Sequence, residues 1–169
     1  MSESYRPIFI VGFMASGKTT VGRALSDRLR LPFLDLDTTI EMAVGKAIYE
    51  IIHDLGEEAF RDLESNELGK AARLPQAIIA TGGGIVLRDA NRNLMSRAGT
   101  TVWLDTPFEE CWRRIELDAN VRPLAPTREA ALKRWTERRD LYALAAWRIE
   151  LEGNESTDEV ATRIIRHLK

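Results

Sequence analysis

Gly12-Phe13-Met14-Ala15-Ser16-Gly17-Lys18-Thr19 stands between an apolar run, Ile8-Phe9-Ile10-Val11, and an amphipathic one, Val21 to Leu29. Together they satisfy G-x-x-x-x-G-K-[ST] in the strand, loop and helix context that gives this motif its meaning. Glycines at both ends let the backbone curl until several N–H groups converge on a polyphosphate. The helix opening at Gly17 adds the positive end of its dipole. Lys18 is placed to reach the β- and γ-phosphates, and the Thr19 hydroxyl to ligate Mg²⁺. Gly12, Ala15, Ser16, Gly17, Lys18, Thr19 and Thr20 are the expected contacts of a nucleoside triphosphate. An ordinary glycine turn is the alternative, and the flanking strand and helix weigh against it.

Outward from this loop the chain alternates strands and helices. A run buried on both faces, as Ile8–Val11 reads, is typical of a parallel sheet. The helix after the loop ends before Pro32. Phe33-Leu34 runs into Asp35-Leu36-Asp37 as a second strand with an acidic end. Thr38 or Thr39 caps the next helix, which Gly45 closes. Helices follow over Ile48 to Leu55 and Glu57 to Arg73. Ala77–Ala80 is a third strand, followed at once by Thr81-Gly82-Gly83-Gly84. Helix over Asp89 to Arg97, strand over Thr100 to Leu104 and helix over Phe108 to Ile115 come next, then Leu117 to Thr127, aperiodic and holding Pro123 and Pro126. Helix over Arg128 to Ala146, strand over Trp147 to Leu151 and a last helix over Thr157 to Leu168 complete the pattern.

Five strands among helices predict one three-layer α/β/α domain spanning 1–169, with a parallel sheet. Its acceptor region is expected at about 38–73 and a mobile lid at about 117–127. Ligands in such sheets gather at the carboxyl ends of strands, so Gly12, Asp35/Asp37 and Gly82–Gly84 should meet at one edge.

Composition narrows the partners. With 24 Lys and Arg against 26 Asp and Glu, the net charge is −2, so no basic surplus points to nucleic acid. Apolar runs are too short for a membrane span. Cys111 is alone, so no internal disulfide forms, and the polar start of the chain lacks a signal-peptide core. A cytoplasmic monomer acting on small molecules is expected.

A triphosphate site alone leaves several activities open. No N-K-x-D base-reading motif is present, and strand Ala77–Ala80 ends in Thr and Gly rather than Asp-Glu. A short domain whose mobile loop carries Arg122 suits a kinase that closes over a small acceptor. Asp35 could hold water on Mg²⁺ while Asp37 accepts a hydrogen bond from an acceptor hydroxyl; alternatively both cap the helix before Ile40. Arg61 and Glu64 are three apart on one helix, so the carboxylate can fix the guanidinium. Arg139 falls on the stripe Trp135, Arg139, Tyr142, Ala146; Arg138 competes with it, and periodicity does not decide between them.

These residues carry a specific resemblance. Gly12-Phe13-Met14 with Gly17-Lys18-Thr19, Asp35-Leu36-Asp37 before Ile40-Glu41, Gly56-Glu57 with Phe60-Arg61 and Glu64, Gly82-Gly83-Gly84, Arg122-Pro123-Leu124, and Arg139 with Leu141-Tyr142 occur in order over about residues 8 to 151. The set resembles the shikimate kinases, small P-loop kinases of aromatic amino-acid biosynthesis. The resemblance implies a nucleoside monophosphate kinase-like fold with sheet order 2-3-1-4-5. It implies Mg²⁺-dependent transfer of the ATP γ-phosphate to the 3-hydroxyl of shikimate. Lys18, Asp37 and Arg122 would be catalytic, with Arg122 descending from the lid and Arg114 lying against adenine. Arg61, Arg139 and the Gly82–Gly84 backbone would hold shikimate alongside Asp37. Thr19, and Asp35 through water, would hold the metal.

Three departures stand out, the first being a stretch from Arg114 to Arg122 one residue longer than in some members. Ala15 occupies a place where the family commonly has glycine, which a negative φ accommodates. The turn Gly153–Thr157 lacks the arginine some members place against the base. A gluconate kinase would share the loop and lid but should lack the triple glycine and Phe-Arg-x-x-Glu. A non-catalytic binding module should lack one of Lys18, Asp37 and Arg122, all of which are present.

Overall fold

The computed structural model describes residues 6–118 and 126–168. Its strands are β1 (Ile8–Val11), β2 (Phe33–Asp35), β3 (Ile78–Ala80), β4 (Thr100–Asp105) and β5 (Trp147–Glu150). Among the described residues they form one five-stranded parallel sheet in the order β2-β3-β1-β4-β5. The helices are α1 (Lys18–Leu29), α2 (Leu36–Val44), α3 (Ile48–Leu55), α4 (Glu57–Ala71), α5 (Asp89–Ala98), α6 (Phe108–Leu117), α7 (Arg128–Tyr142) and α8 (Thr157–Leu168), with a 3₁₀ turn at Ile85–Leu87.

The two-residue period of β1 explains its unbroken apolarity. Ile8 and Ile10 pack on one face with Val21 and Leu25 of α1 and Val160 and Ile164 of α8. Phe9 and Val11 pack on the other with Leu68 of α4, Met95 of α5 and Tyr142 of α7. All four β1 side chains are buried, so neither face tolerates a polar residue. Truncating Phe9 to alanine in such a place costs about 3–5 kcal/mol. Trp112 and Trp135 lie against the Phe9 side and Trp147 against the Ile8 side, all as packing residues. A small separate cluster of Ile40, Ile51 and Phe60 ties α2, α3 and α4 together. That helical unit carries the expected acceptor region.

Some boundaries differ from expectation. The second strand stops at Asp35, and α2 starts at Leu36, so Asp37 lies in a helical first turn rather than on a strand. The cap is Asp35, not Thr38 or Thr39: its Oδ1 accepts from the N–H groups of Asp37 at 3.1 Å and Thr38 at 3.3 Å. A carboxylate there also meets the helix dipole, which favours it over a hydroxyl. Helix α7 ends at Tyr142, short of Ala146, because the chain must reverse for Trp147 to pair with Val102. The Ala146 N–H is taken by Thr101 Oγ1 at 2.9 Å. Here tertiary pairing overrides the helix preference of the alanines. No helix among the described residues is long and apolar enough to cross a membrane.

Candidate active site

Each sheet strand delivers its next residues to one edge, and β1 delivers the glycine loop. Gly12 and Gly17 have φ of 152° and 101°, the left-handed side that glycine occupies without cost. Ala15 also has positive φ, at 58°. The negative φ expected there is not found. Lys18 Nζ donates to the carbonyls of Gly12 at 3.0 Å and Phe13 at 2.7 Å. Thr106 Oγ1, just beyond β4, donates to the Ser16 carbonyl at 2.9 Å and ties the loop to the sheet. The Ser16 hydroxyl is buried without a partner among the described residues.

The loop floors a cleft of about 480 Å³. Thr19, Thr20, Asp35, Asp37 and Gly83 line one end, and Arg114, Asp118, Gly153, Glu155 and Thr157 the other. Thr19 Oγ1 donates to Asp35 Oδ2 at 2.5 Å, so a hydroxyl and a carboxylate sit together beside the loop. Arg114 Nη1 donates to the Ala15 carbonyl at 3.1 Å and its Nε to Glu110 at 2.7 Å.

Beyond Asp37 lies a buried group of opposite charges. Arg61 is held by Glu64 and, at 3.1 Å, by Glu57, all on α4. Burial opposes charge on Arg61, but Glu64 and Glu57 outweigh it and raise its pKa. Burial raises the Glu64 carboxyl against the pull of Arg61. Arg138 of α7 is buried at 3% exposure, with Glu64 and the Tyr142 hydroxyl as neighbours, and desolvation lowers its pKa. Burial first, then Glu64 and Asp35, push the Asp37 carboxyl up to about 7, while Lys18 pulls it down. Gly82–Gly84 pass between these side chains. A methyl group at Gly82 would meet Glu64 Oε1 and Asp37 Oδ1, and one at Gly84 would overlap the Arg61 guanidinium. Tyr142 donates to the Gly83 carbonyl at 2.6 Å, seating the glycines on α7. The glycine loop and a pocket with two guanidinium groups thus meet at Asp37.

Residues 14–169 match the family model described as shikimate kinase. The chain belongs to the shikimate kinase family. It is 40% identical over 161 residues to a shikimate kinase of Synechococcus elongatus, covering 94% of this chain and 84% of that one. With a shikimate kinase of Persephonella marina it shares 37% identity over 165 residues, 97% of this chain and 99% of that one. The solved shikimate kinase from Acinetobacter baumannii in complex with shikimate superposes with a TM-score of 0.92 at 33% identity, covering 98% of this chain and 94% of that one. The protein is accordingly an ATP-dependent kinase, and its sheet order is the one the resemblance implied.

In the kinase the loop residues, Asp35, Asp37, Arg61 and Gly82–Gly84 converge as expected, but Arg139 does not join them. It donates to Asp105 at 2.7 and 3.1 Å and lies over the rings of Trp135 and Trp103, with centroids 4.5 and 5.2 Å away. Arg138 takes the pocket position instead. Both 131-135-138-142 and 135-139-142-146 fit a helical stripe, so spacing could not separate them. The acids they face do: Glu64 on one side of α7, Asp105 at the end of β4 on the other. Arg114, expected against adenine, lines the cleft and donates to the loop's own Ala15 carbonyl. The expected lid is described only at its ends, where Leu117 closes α6 and Thr127 caps α7; Arg122 lies outside the described residues. Tyr142 was placed by sequence only as a stripe residue, since a hydroxyl bond to a distant carbonyl leaves no local trace.

Proposed function

We propose that the chain transfers the γ-phosphate of ATP to the 3-hydroxyl of shikimate, with Mg²⁺. The observation that carries this is the junction at Asp37 between a phosphate loop and a pocket bearing Arg61 and Arg138. A planar guanidinium fork suits a carboxylate, and two of them from α4 and α7 suit an acceptor that carries one. Asp37 takes the hydroxyl to be phosphorylated. Desolvation makes its carboxylate a stronger base than an exposed aspartate, which is what orienting or deprotonating an alcohol requires. Lys18, the loop N–H groups and the N-terminus of α1 receive the phosphates. The acceptor region 38–73 presents Arg61 and Glu64, and the Gly82–Gly84 backbone closes against the ring. Arg122 is assigned the migrating phosphoryl group, and the segment 117–127 the lid, on the motif Arg122-Pro123-Leu124.

The metal fits the residues present. The Thr19 hydroxyl and Asp35 carboxylate, 2.5 Å apart on the cleft wall, form a hard oxygen set, direct for Thr19 and through water for Asp35. Mg²⁺, when bound, shields charge on the β- and γ-phosphates. A monomer is proposed, and buried Cys111, its thiol pushed up to about 11 by burial, suits a reducing cytoplasm. Light scattering of the purified chain tests the monomer.

ATP turnover measured with shikimate, gluconate or AMP as acceptor tests the reaction. Turnover should require Mg²⁺ and shikimate together and vanish in Lys18→Ala. Comparable turnover on gluconate or AMP, with none on shikimate, overturns the reading.

A further inference from the structure

One residue of the phosphate loop has a backbone that its side chain resists. Ala15 sits at φ 58°, a left-handed conformation disfavoured roughly five- to thirtyfold for a residue with a Cβ. Gly12 and Gly17 reach positive φ without that cost. Something must therefore hold Ala15, and two contacts do, one of them from outside the loop. The Ala15 carbonyl accepts from Arg114 Nη1 at 3.1 Å, and the N–H of the same peptide, on Ser16, donates to the Phe13 carbonyl at 3.2 Å. The peptide is gripped at both ends.

Arg114 is itself well anchored. Its Nε donates to Glu110 Oε1 at 2.7 Å, one helical turn back on α6. Glu110 also accepts from Arg113 Nε at 2.8 Å and Nη2 at 2.7 Å. The Arg113 bond, opposed by burial and helped by Arg114, holds the Glu110 carboxyl down at about 2, so the anchor keeps its charge at every working pH. The turn at Gly153 rests on the same side chain: a Cβ there would come within 2.8 Å of Glu110 Cγ. A bracket of α6 side chains thus runs from the far end of the cleft to the loop.

We infer that Arg114 is a positioning residue of the phosphate loop, holding left-handed Ala15 in the conformation that cups the phosphates. This rests on the loop being the phosphate site. It assigns Arg114 work that needs no nucleobase, and work that a glycine at position 15 would make unnecessary. With glycine the left-handed peptide is free of strain; with alanine, loss of the guanidinium lets the loop relax to negative φ and misaim its N–H groups.

Tripolyphosphate, a ligand without a base, is the probe. Its affinity is measured by calorimetry for the natural chain, Arg114→Ala, Ala15→Gly and the double variant, with melting curves to establish folding. Arg114→Ala should weaken tripolyphosphate on the order of tenfold with alanine at 15, and less than about twofold with glycine there. Glu110→Gln, which loosens Arg114 without removing it, should show a smaller loss with the same dependence on residue 15, and it decides the matter if Arg114→Ala does not fold. Unchanged tripolyphosphate affinity in Arg114→Ala overturns the inference, because Arg114 would then serve the base alone. An equal loss in both backgrounds also overturns it, because Arg114 would then act as a plain cation. Lys18→Ala checks the underlying reading separately: if it binds tripolyphosphate like the natural chain, the loop is not the phosphate site and both fall.

Discussion

Glu64 and Asp37 direct carboxylate oxygens at Gly82, and neither Glu64 Oε1 nor Asp37 Oδ1 has a hydrogen-bond partner among the described residues. Both atoms are shut off from water. Burial pushes both carboxyls above their ordinary pKa, and the charge of Glu64 adds to the push on Asp37, against the pull of Arg61 on Glu64 and of Lys18 on Asp37. The pocket is therefore organised around charges that the acceptor, once bound, must share.

The rate should report this shift. Asp37, its carboxyl pushed up to about 7 chiefly by burial and then by Glu64, accepts the acceptor's proton only when ionised. In the free enzyme kcat/KM for shikimate should fall about tenfold per pH unit below that value. Asp37→Asn should lower kcat by about 10²-fold or more and flatten the acid limb. Initial rates across this range check it; an unshifted limb near pH 4 would show that Asp37 stays ionised.

Stability should move the opposite way from the usual acid case. Asp37 binds a proton more tightly in the folded chain than at its ordinary value of 3.8. Its contribution is fully present below about pH 4 and is lost as pH rises through about 7. Asp37→Asn should therefore be more stable than the natural chain at pH 8, by about 1–3 kcal/mol, with the gap closing towards pH 4. Urea midpoints at the two pH values measure it, and equal midpoints at pH 8 would refute it.

Adjacent arginines on α7 should fail differently. Arg138→Ala, which empties the acceptor pocket of one fork, should reduce kcat/KM for shikimate by about 10- to 150-fold, the equivalent of 1.5–3 kcal/mol. ATP affinity should hardly change. Arg139→Ala should leave kinetics near normal and cost about 1–3 kcal/mol of stability, since among the described residues Asp105 keeps only Arg148 and the Trp135 face loses its cation, while Trp103 retains Arg148. Exchanged phenotypes would reverse the assignment.

Asp35 carries two duties that substitution should separate. Asp35→Ala removes the cap of α2 and should cost about 0.5–2 kcal/mol in thermal or urea unfolding. Asp35→Asn retains a capping oxygen, so it should be closer to natural stability yet require more Mg²⁺ for half-maximal rate. An unchanged Mg²⁺ dependence would leave Asp35 a cap alone.

Gly84 tests the cradle. Its φ of −94° suits any residue, so Gly84→Ala adds no backbone strain, only a methyl group where the Arg61 guanidinium lies. Displacing that fork should raise KM for shikimate about tenfold or more, with ATP affinity intact. Equal loss for both substrates would point to general collapse of the pocket instead.

The sequence by itself determined the class of fold and the glycine loop, and singled out Asp35, Asp37 and Arg61 as candidate site residues. Each rests on local spacing: a strand of period two, a glycine-bounded loop and a helix offset of three. The same local logic failed where a choice depended on what stands opposite. Arg138 and Arg139 are equivalent on a helical wheel, and only Glu64 from α4 and Asp105 from β4 assign one to the pocket and the other to the sheet edge. Asp35, which the sequence offered either as a holder of metal-bound water or as a cap, caps α2 because β2 ends where it pairs with Ala80 of β3. Ala15 holds a left-handed backbone that its residue type would not predict, and its carbonyl is bound by Arg114, 99 positions away. Tertiary structure decided these points because each turns on a partner distant in the chain, and periodicity records only neighbours.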